Sequence, residues 1–303
     1  MPDDDSGSSD TRIRVFLGKG GVGKTTCAAA TALHFAESGE PTLVLSTDPT
    51  PSLSHIFDRP RGEPGREVVP HLHLTEFGLE QLRTMWDERF GRDVYAVFSS
   101  FVDVEYDTFV EFMTSVLPGL NEEFMVDYIR RLALDGRYRR IVWDTAPLGQ
   151  TLALLGMPTL LGRHLRMAPR VYSHLRTSGE GRESIMDVLR RWEALAEVCM
   201  TFLRESVRFV MVTIAEALAL RQLDDAFAEL ARYGLRVERL IVNNVVTDAD
   251  SPFLVQKSAQ QQAHLRQLRE RYPDLPMTEI SLFPQEIQGL ERLRQVGAVL
   301  GSP

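Results

Sequence analysis

Short apolar runs bounded by polar residues recur along this chain, and helical periodicity fills most of the space between them. Residues 13–17 (IRVFL) end in glycines and predict a buried parallel strand. Residues 24–37 are alanine-rich and predict a helix. Residues 42–46 (TLVLS) predict a second strand, followed closely by Asp48-Pro49, and residues 71–77 (HLHLTEF) a further one. Three more apolar runs follow at 140–144 (RIVWD), 208–214 (RFVMVTI) and 239–244 (RLIVNN). Strands alternating with helices predict an α/β fold, a doubly wound and mostly parallel sheet whose chemistry lies at the carboxyl ends of its strands.

Two segments break this rhythm. Residues of about 80–131 and 152–205 have helical periodicity without clear strands, and both are too long for ordinary crossovers. They predict an α-helical subdomain contributed by two insertions that flank the RIVWD strand. Seven of the ten methionines fall here: Met85, Met113, Met125, Met157, Met167, Met186 and Met200. Residues 1–10 (MPDDDSGSSD) predict a disordered acidic tail, which leaves 11–303 as the folded domain.

Composition narrows the class. With 44% apolar residues the chain can bury a large core. The formal charge is −8, and Asp3, Asp4, Asp5 and Asp10 account for half of it, so the remainder is nearly balanced. A broad basic surface for nucleic acid is not expected. Two cysteines, Cys27 and Cys199, cannot build a disulfide framework or a four-cysteine zinc site. The amino terminus does not resemble a signal peptide. The longest uncharged stretch, 145–162, is broken by Pro147 and Pro158 and does not predict a membrane span. A cytoplasmic protein is expected, with transient visits to a membrane left open.

The chemistry is concentrated after the first strand. Gly18-Lys19-Gly20-Gly21-Val22-Gly23-Lys24-Thr25-Thr26 matches G-x-x-x-x-G-K-[ST] between a strand and a helix, the context of a P-loop. Its glycines let backbone N–H groups wrap phosphate oxygens, and the helix amino terminus adds partial positive charge. In such a loop Lys24 bridges the β- and γ-phosphates of ATP, and the Thr25 hydroxyl ligates Mg²⁺. The basic residues divide into 31 Arg and only three Lys: Lys19, Lys24 and Lys257. Two of the three lie in this one loop, where a compact ammonium does what a planar guanidinium fork cannot.

The second loop lysine, in K-G-G-x-G-K-T-T, makes the segment resemble the deviant Walker A group of dimeric P-loop ATPases, which includes MinD, ParA, nitrogenase iron protein and ArsA. That resemblance implies a homodimer in which Lys19 reaches the partner's ATP in trans. Residues 46–54 (STDPTPSLS) are similar to the switch I of ArsA and Get/TRC-type ATPases, and 144–152 (DTAPLGQTL) to their switch II. Asn243-Asn244 and 286–290 (EIQGL) stand where that family keeps adenine-side motifs. The resemblance gives Asp48 the role of catalytic carboxylate, orienting the attacking water and sharing in the Mg²⁺ shell. Asp144, ending its strand, reads as a Walker B carboxylate on Mg²⁺. Gly149 is placed to offer its N–H to the γ-phosphate. Asn243 either reads the adenine edge or simply ends a strand at a turn. Pro51, Leu148 and Gln150 depart from the family pattern, and they bear on switch coupling and hydrolysis rate rather than on nucleotide binding.

The payload is open between branches. Arsenite-binding subunits use three cysteines, and this chain has two. Get/TRC-type members hold the transmembrane helix of a tail-anchored client in a groove of amphipathic helices, built by insertions in the position seen here. Segments 98–125 and 152–174, rich in Phe, Leu and Met, are candidates for such a groove, although Met and Phe at helical spacing are also ordinary core. The eukaryotic C-x-x-C zinc motif is replaced by 251–256 (SPFLVQ), so no structural zinc is expected. The resulting expectation is a Mg²⁺-dependent ATPase in a nucleotide-sandwich homodimer, binding apolar helices and meeting a membrane receptor. The alternatives are the energising subunit of a metalloid pump and a MinD/ParA-like positioning switch.

Overall fold

The computed structural model describes residues 11–47, 52–60, 62–99, 104–116, 120–145 and 185–301. Eight strands are present: β1 (Arg12–Gly18), β2 (Thr42–Ser46), β3 (Arg66–Val69), β4 (Leu72–Glu76), β5 (Arg140–Asp144), β6 (Val207–Ile214), β7 (Val237–Val245) and β8 (Met277–Ser281). They form one sheet in the order β3-β4-β2-β5-β1-β6-β7-β8. Every neighbouring pair is parallel except β3–β4. The helices are α1 (Lys24–Glu37), α2 (Leu53–Ile56), α3 (Leu79–Trp86), α4 (Arg92–Phe98), α5 (Tyr106–Val116), α6 (Leu120–Asp135), α7 (Ile185–Glu205), α8 (Ala217–Arg232), α9 (Pro252–Arg271) and α10 (Leu290–Gly301). A π-helical turn, Asp87–Gly91, joins α3 to α4. The α/β fold with a mostly parallel sheet is therefore as the hydrophobic pattern predicts.

Compactness divides the described residues into two units: those of Met1–Glu76, Arg131–Leu152 and Ser206–Pro303, and those of Phe77–Arg130 and Ala153–Glu205. The first holds the sheet. Its central strands are buried on both faces, which is why β2 and β5 read as unbroken apolar runs rather than alternating ones. One core layer is formed by Phe16, Val44, Val142, Val210, Val212 and Ile241 of the sheet against α1 and α10. The small residues of α1, Ala28, Ala29, Ala30 and Ala32, are all fully buried and let this helix lie close to the strands. Gly297 of α10 continues that close approach, since a Cβ there would stand 3.0 Å from the Ala30 carbonyl oxygen. On β6, α8 packs against the strand, and Tyr272 just past α9 donates to Asp224 of α8 at 2.7 Å.

Two strands escaped the sequence reading, β3 and β8. Both lie at the ends of the sheet, and their residues are mostly half-buried, so neither shows a continuous apolar run. The run at 71–77 corresponds to β4, and Lys24–Glu37 is helical over the predicted span.

The second unit is built of helices, with no strand among its described residues. Leu82, Trp86, Phe109, Val110, Met125, Cys199, Met200 and Leu203 are buried in it. Asp127 is buried within this unit and is held by Arg89 and Arg130, each at 3.2 Å. A buried carboxylate needs such partners, because desolvation of an unpaired charge costs several kcal/mol. Tyr106 donates to Asp87, and its ring lies edge-on to Tyr95, 5.0 Å between centroids. Met125 and Met200 thus serve this unit's own interior, while Met157 and Met167 lie outside the described residues. No helix among the described residues is long and apolar enough to cross a membrane.

The buried contact between α1 and the sheet should dominate the stability of the first unit. Leu33→Ala, at a fully buried position, is expected to lower unfolding free energy by about 2–5 kcal/mol, read from the urea midpoint. An unchanged midpoint would contradict this packing.

Candidate functional site

The loop between β1 and α1 is shaped by three glycines with positive φ: Gly18 (155°), Gly21 (81°) and Gly23 (96°). They serve different ends. A Cβ on Gly18 would press into the Val212 carbonyl oxygen of β6, so the loop can leave β1 only where there is no side chain. A Cβ on Gly23 would run into the Asn243 amide nitrogen, whereas one on Gly21 would meet nothing. Gly21 is therefore required by its backbone angle alone.

Gly23 is the amino-terminal cap of α1, and no side chain caps this helix. Its first turn also carries no acidic residue. By contrast α9 begins in the ordinary way, with Ser251 Oγ accepting from Leu254 N–H at 3.3 Å. An uncapped helix whose start follows a glycine loop offers its orphan N–H groups and dipole to an anion. Lys24 is 6% exposed, and its ammonium donates to the Lys19 carbonyl at 3.1 Å, closing the loop across its mouth. Lys19 itself is exposed, and its ammonium has no partner among the described residues. Thr25 and Thr26 are half-buried at the start of α1.

Strand register assembles the rest. Phe16 of β1 and Ser46 of β2 both pair with Asp144 of β5, which brings Asp144 to within two residues of the loop. Asp144 is fully buried, and Ser46 Oγ donates to its Oδ2 at 3.2 Å. Thr145 Oγ donates to the Phe16 carbonyl at 2.7 Å. Thr47, the last described residue before Asp48, is held twice by β5: its N–H donates to the Asp144 carbonyl at 3.1 Å, and its hydroxyl accepts from Trp143 Nε1 at 3.1 Å. Asn243 lies at the end of β7, and its Nδ2 donates to the Val22 carbonyl at 2.9 Å. The structure thus gathers Gly18–Thr26, Asp144 and Asn243 at the carboxyl ends of β1, β5 and β7. Asp48 and Gly149, together with Pro51, Leu148 and Gln150, lie outside the described residues.

One residue that the sequence reading did not single out also shapes the site, and the 286–290 motif, which it did, contacts α2. Glu76, buried at the end of β4, accepts from the Leu53 N–H at 2.7 Å and so pins the start of α2. Gly289 N–H donates to the Ile56 carbonyl at 2.8 Å, and Gln288 Nε2 to the His55 carbonyl at 3.1 Å. The 286–290 motif therefore supports the end of α2.

A glycine nest, an uncapped helix, an ammonium at the loop mouth and a buried carboxylate fit a nucleotide triphosphate with a divalent cation. The family model described as anion-transporting ATPase matches residues 11–302. The chain belongs to this ATPase family. Among similar proteins, one from Chlorobaculum tepidum carrying the provisional name arsenical pump-driving ATPase is 31% identical over 305 residues, covering 93% of this chain and 73% of that protein. Its counterpart in Prosthecochloris vibrioformis is 30% identical over the same shares. The ATPase get3 of Aspergillus terreus is 27% identical over 308 residues, covering 95% of this chain and 90% of that one. This member of the anion-transporting ATPase family is accordingly an ATPase.

Cys27 follows the loop threonines and is completely buried. Burial, reinforced by the nearby charge of Asp144, pushes its thiol up to about 12. At pH 8 the native thiol is therefore neutral, and the thiolate is the reactive form. Alkylation by iodoacetamide at pH 8 should spare Cys27 in the folded ATPase and modify it after unfolding, as read by peptide mass spectrometry. Rapid native modification would contradict the burial.

The glycines make a second test. Gly18→Ala should lower both the thermal midpoint and ATP affinity, because its obstacle is backbone. Gly21→Ala should cost only the left-handed strain of about 1 kcal/mol. Equal effects at the two positions would contradict the loop geometry.

Proposed function

We propose that this ATPase is Mg²⁺-dependent, works as a nucleotide-sandwich homodimer, and couples its cycle to the binding of apolar helices in membrane-protein clients. The observation that carries the dimer is the contrast between the loop lysines. Lys24 is sequestered toward its own loop, while Lys19 beside it is exposed and its ammonium has no partner among the described residues. A cation so placed serves a phosphate chain arriving with a second subunit, as an arginine finger does.

In this reading each residue has a defined task. The loop N–H groups and Lys24 hold the β- and γ-phosphates. Thr25 and Asp144 would hold Mg²⁺, which when bound would supply positive charge against the phosphate chain. Asp48 orients the attacking water. Gly149 reports the γ-phosphate. Asn243 keeps its amide oxygen for the exocyclic amine of adenine, since its nitrogen is already engaged by Val22. Thr47 and Leu53, on either side of Asp48 in the chain, are both tied to neighbouring strand ends.

Similarity to the get3 proteins and the helical second unit support an apolar-helix client. The provisional names of the bacterial relatives favour a second reading, an arsenical-pump motor. The cysteines speak against that reading: both are buried, Cys27 as a neutral thiol, and soft metalloid sites need several thiolates together.

Lys19→Ala should reduce kcat by about a thousandfold or more, the range of a transferred cationic finger, while ATP binding stays measurable. Normal turnover would remove the trans role. Asp48→Asn should trap an ATP-bound dimer that co-purifies with single-pass membrane proteins. An empty dimer, or ATPase activity stimulated by arsenite, would favour the pump instead.

A further inference from the structure

The amino-terminal halves of β1 and β7 carry arginines, Arg14 and Arg239, on the strands' polar ends. Register places Phe16 of β1 beside Val210 of β6, and Val210 beside Arg239. Side-chain alternation puts Arg14 on the same face as Phe16. That is the face on which α1 and α10 pack. Both arginines accordingly line one cavity of about 230 Å³ near the carboxyl ends of those two helices, together with Thr31, His34, Phe35 and Leu300.

The cavity is rich in unused donors. Arg239 spends one N–H on the Leu300 carbonyl at 2.9 Å and has four others. The carboxylate facing Arg14 is Glu238, at 3.7 Å, too long for a hydrogen bond. That pair is solvent-accessible on both sides, at 31% and 41% exposure. The His34 imidazole and the Thr31 hydroxyl have no hydrogen-bond partner among the described residues. Arg140 lies over the same Phe35 ring as Arg14, at 4.4 and 5.1 Å from its centroid. The charge of Arg140 is already taken by a two-point contact with Glu40 at 2.8 and 3.0 Å. Burial lowers the Arg14 guanidinium from its ordinary pKa; Glu238 opposes this, and Arg140, Arg239 and Arg12 add to it. The local field is thus positive and only partly compensated.

We infer that this cavity binds a small oxyanion, a phosphate or a compact carboxylate, between Arg14 and Arg239, with His34 and Thr31 as further donors. Guanidinium forks match the oxygens of both groups. The volume lies below the roughly 300–1,000 Å³ of larger ligand sites and suits a small anion. The site is separate from the P-loop: Arg14 precedes Gly18 by a strand length of about 13 Å. It does not depend on the client or dimer reading. Glu238 competes with the anion for Arg14, and this gives the site a gain-of-function test.

The experiment titrates the wild-type protein with inorganic phosphate and, separately, with citrate. Ionic strength is held constant, and saturating Mg²⁺-ADP fills the P-loop. Binding is followed through the amide NMR shifts of Thr31, His34, Phe35 and Gly301. Saturable shifts are expected. Arg239→Gln should weaken binding at least tenfold, and Glu238→Gln should tighten it severalfold. Saturation by phosphate alone identifies free phosphate or a phosphoryl group, and by citrate alone a carboxylate. Glu238 is a surface residue, so its variant keeps the test decisive if Arg239→Gln fails to fold. Absence of saturable shifts with either anion, or an affinity in Glu238→Gln no tighter than wild type, would overturn the inference.

Discussion

No side chain fits at Gly18, because the carbonyl of Val212 on the neighbouring strand occupies the space where a Cβ would stand. Much of the site follows from this constraint. Strand β1 sits in the interior of the sheet with β5 on one side and β6 on the other, and the chain must turn away from both at once. The turn that permits this exposes a row of backbone N–H groups and delivers the chain directly into an uncapped helix. Phosphate binding is thus a by-product of how a central parallel strand can end.

Helix α1 carries the consequence through the first unit. Its amino end holds Lys24 and Thr25 at the loop, and its alanine-rich middle lies against the sheet. Its carboxyl end meets Arg14 and α10 around a polar cavity. The two ends differ in electrostatics. The loop, with its positive helix end and ammonium, begins two residues beyond Phe16, which pairs with Asp144, a buried carboxylate held by Ser46. At the other end, guanidiniums gather where helix carbonyls point outward, and Arg239 satisfies one of them. The helix dipole therefore favours an anion at the loop, whereas at the carboxyl end any affinity for anions must come from the arginine side chains against it.

Legibility in the sequence varied with how local the information was. Helix α1 could be read over its full length, because an alanine-rich apolar pattern and a preceding glycine are both local signals. The interior strands were readable because burial on both faces leaves a continuous apolar run. Edge strands β3 and β8 were not, since each borders solvent and its residues are mostly half-buried. Glu76 shows the same limit in the site. Its contact with Leu53 spans two strands' worth of chain, and nothing in the spacing of Leu53 and Glu76 announces it. Among the methionines of the helical segments, Met125 and Met200 fill the interior of their own unit, while Met157 and Met167 lie outside the described residues.

The sequence alone determined that this chain binds nucleotide phosphate, because nine consecutive residues encode the strand end, the glycine turn and the helix start without help from elsewhere. It also determined the family, through motifs that are each contiguous. Only the tertiary structure decided how distant residues meet: that Phe16 and Ser46 both pair with Asp144, that Asn243 braces the Val22 carbonyl, and that Arg14 and Arg239 open into one cavity. Periodicity reports which face of an element is apolar. The register between strands is set by how whole faces pack together, and no single segment carries that information.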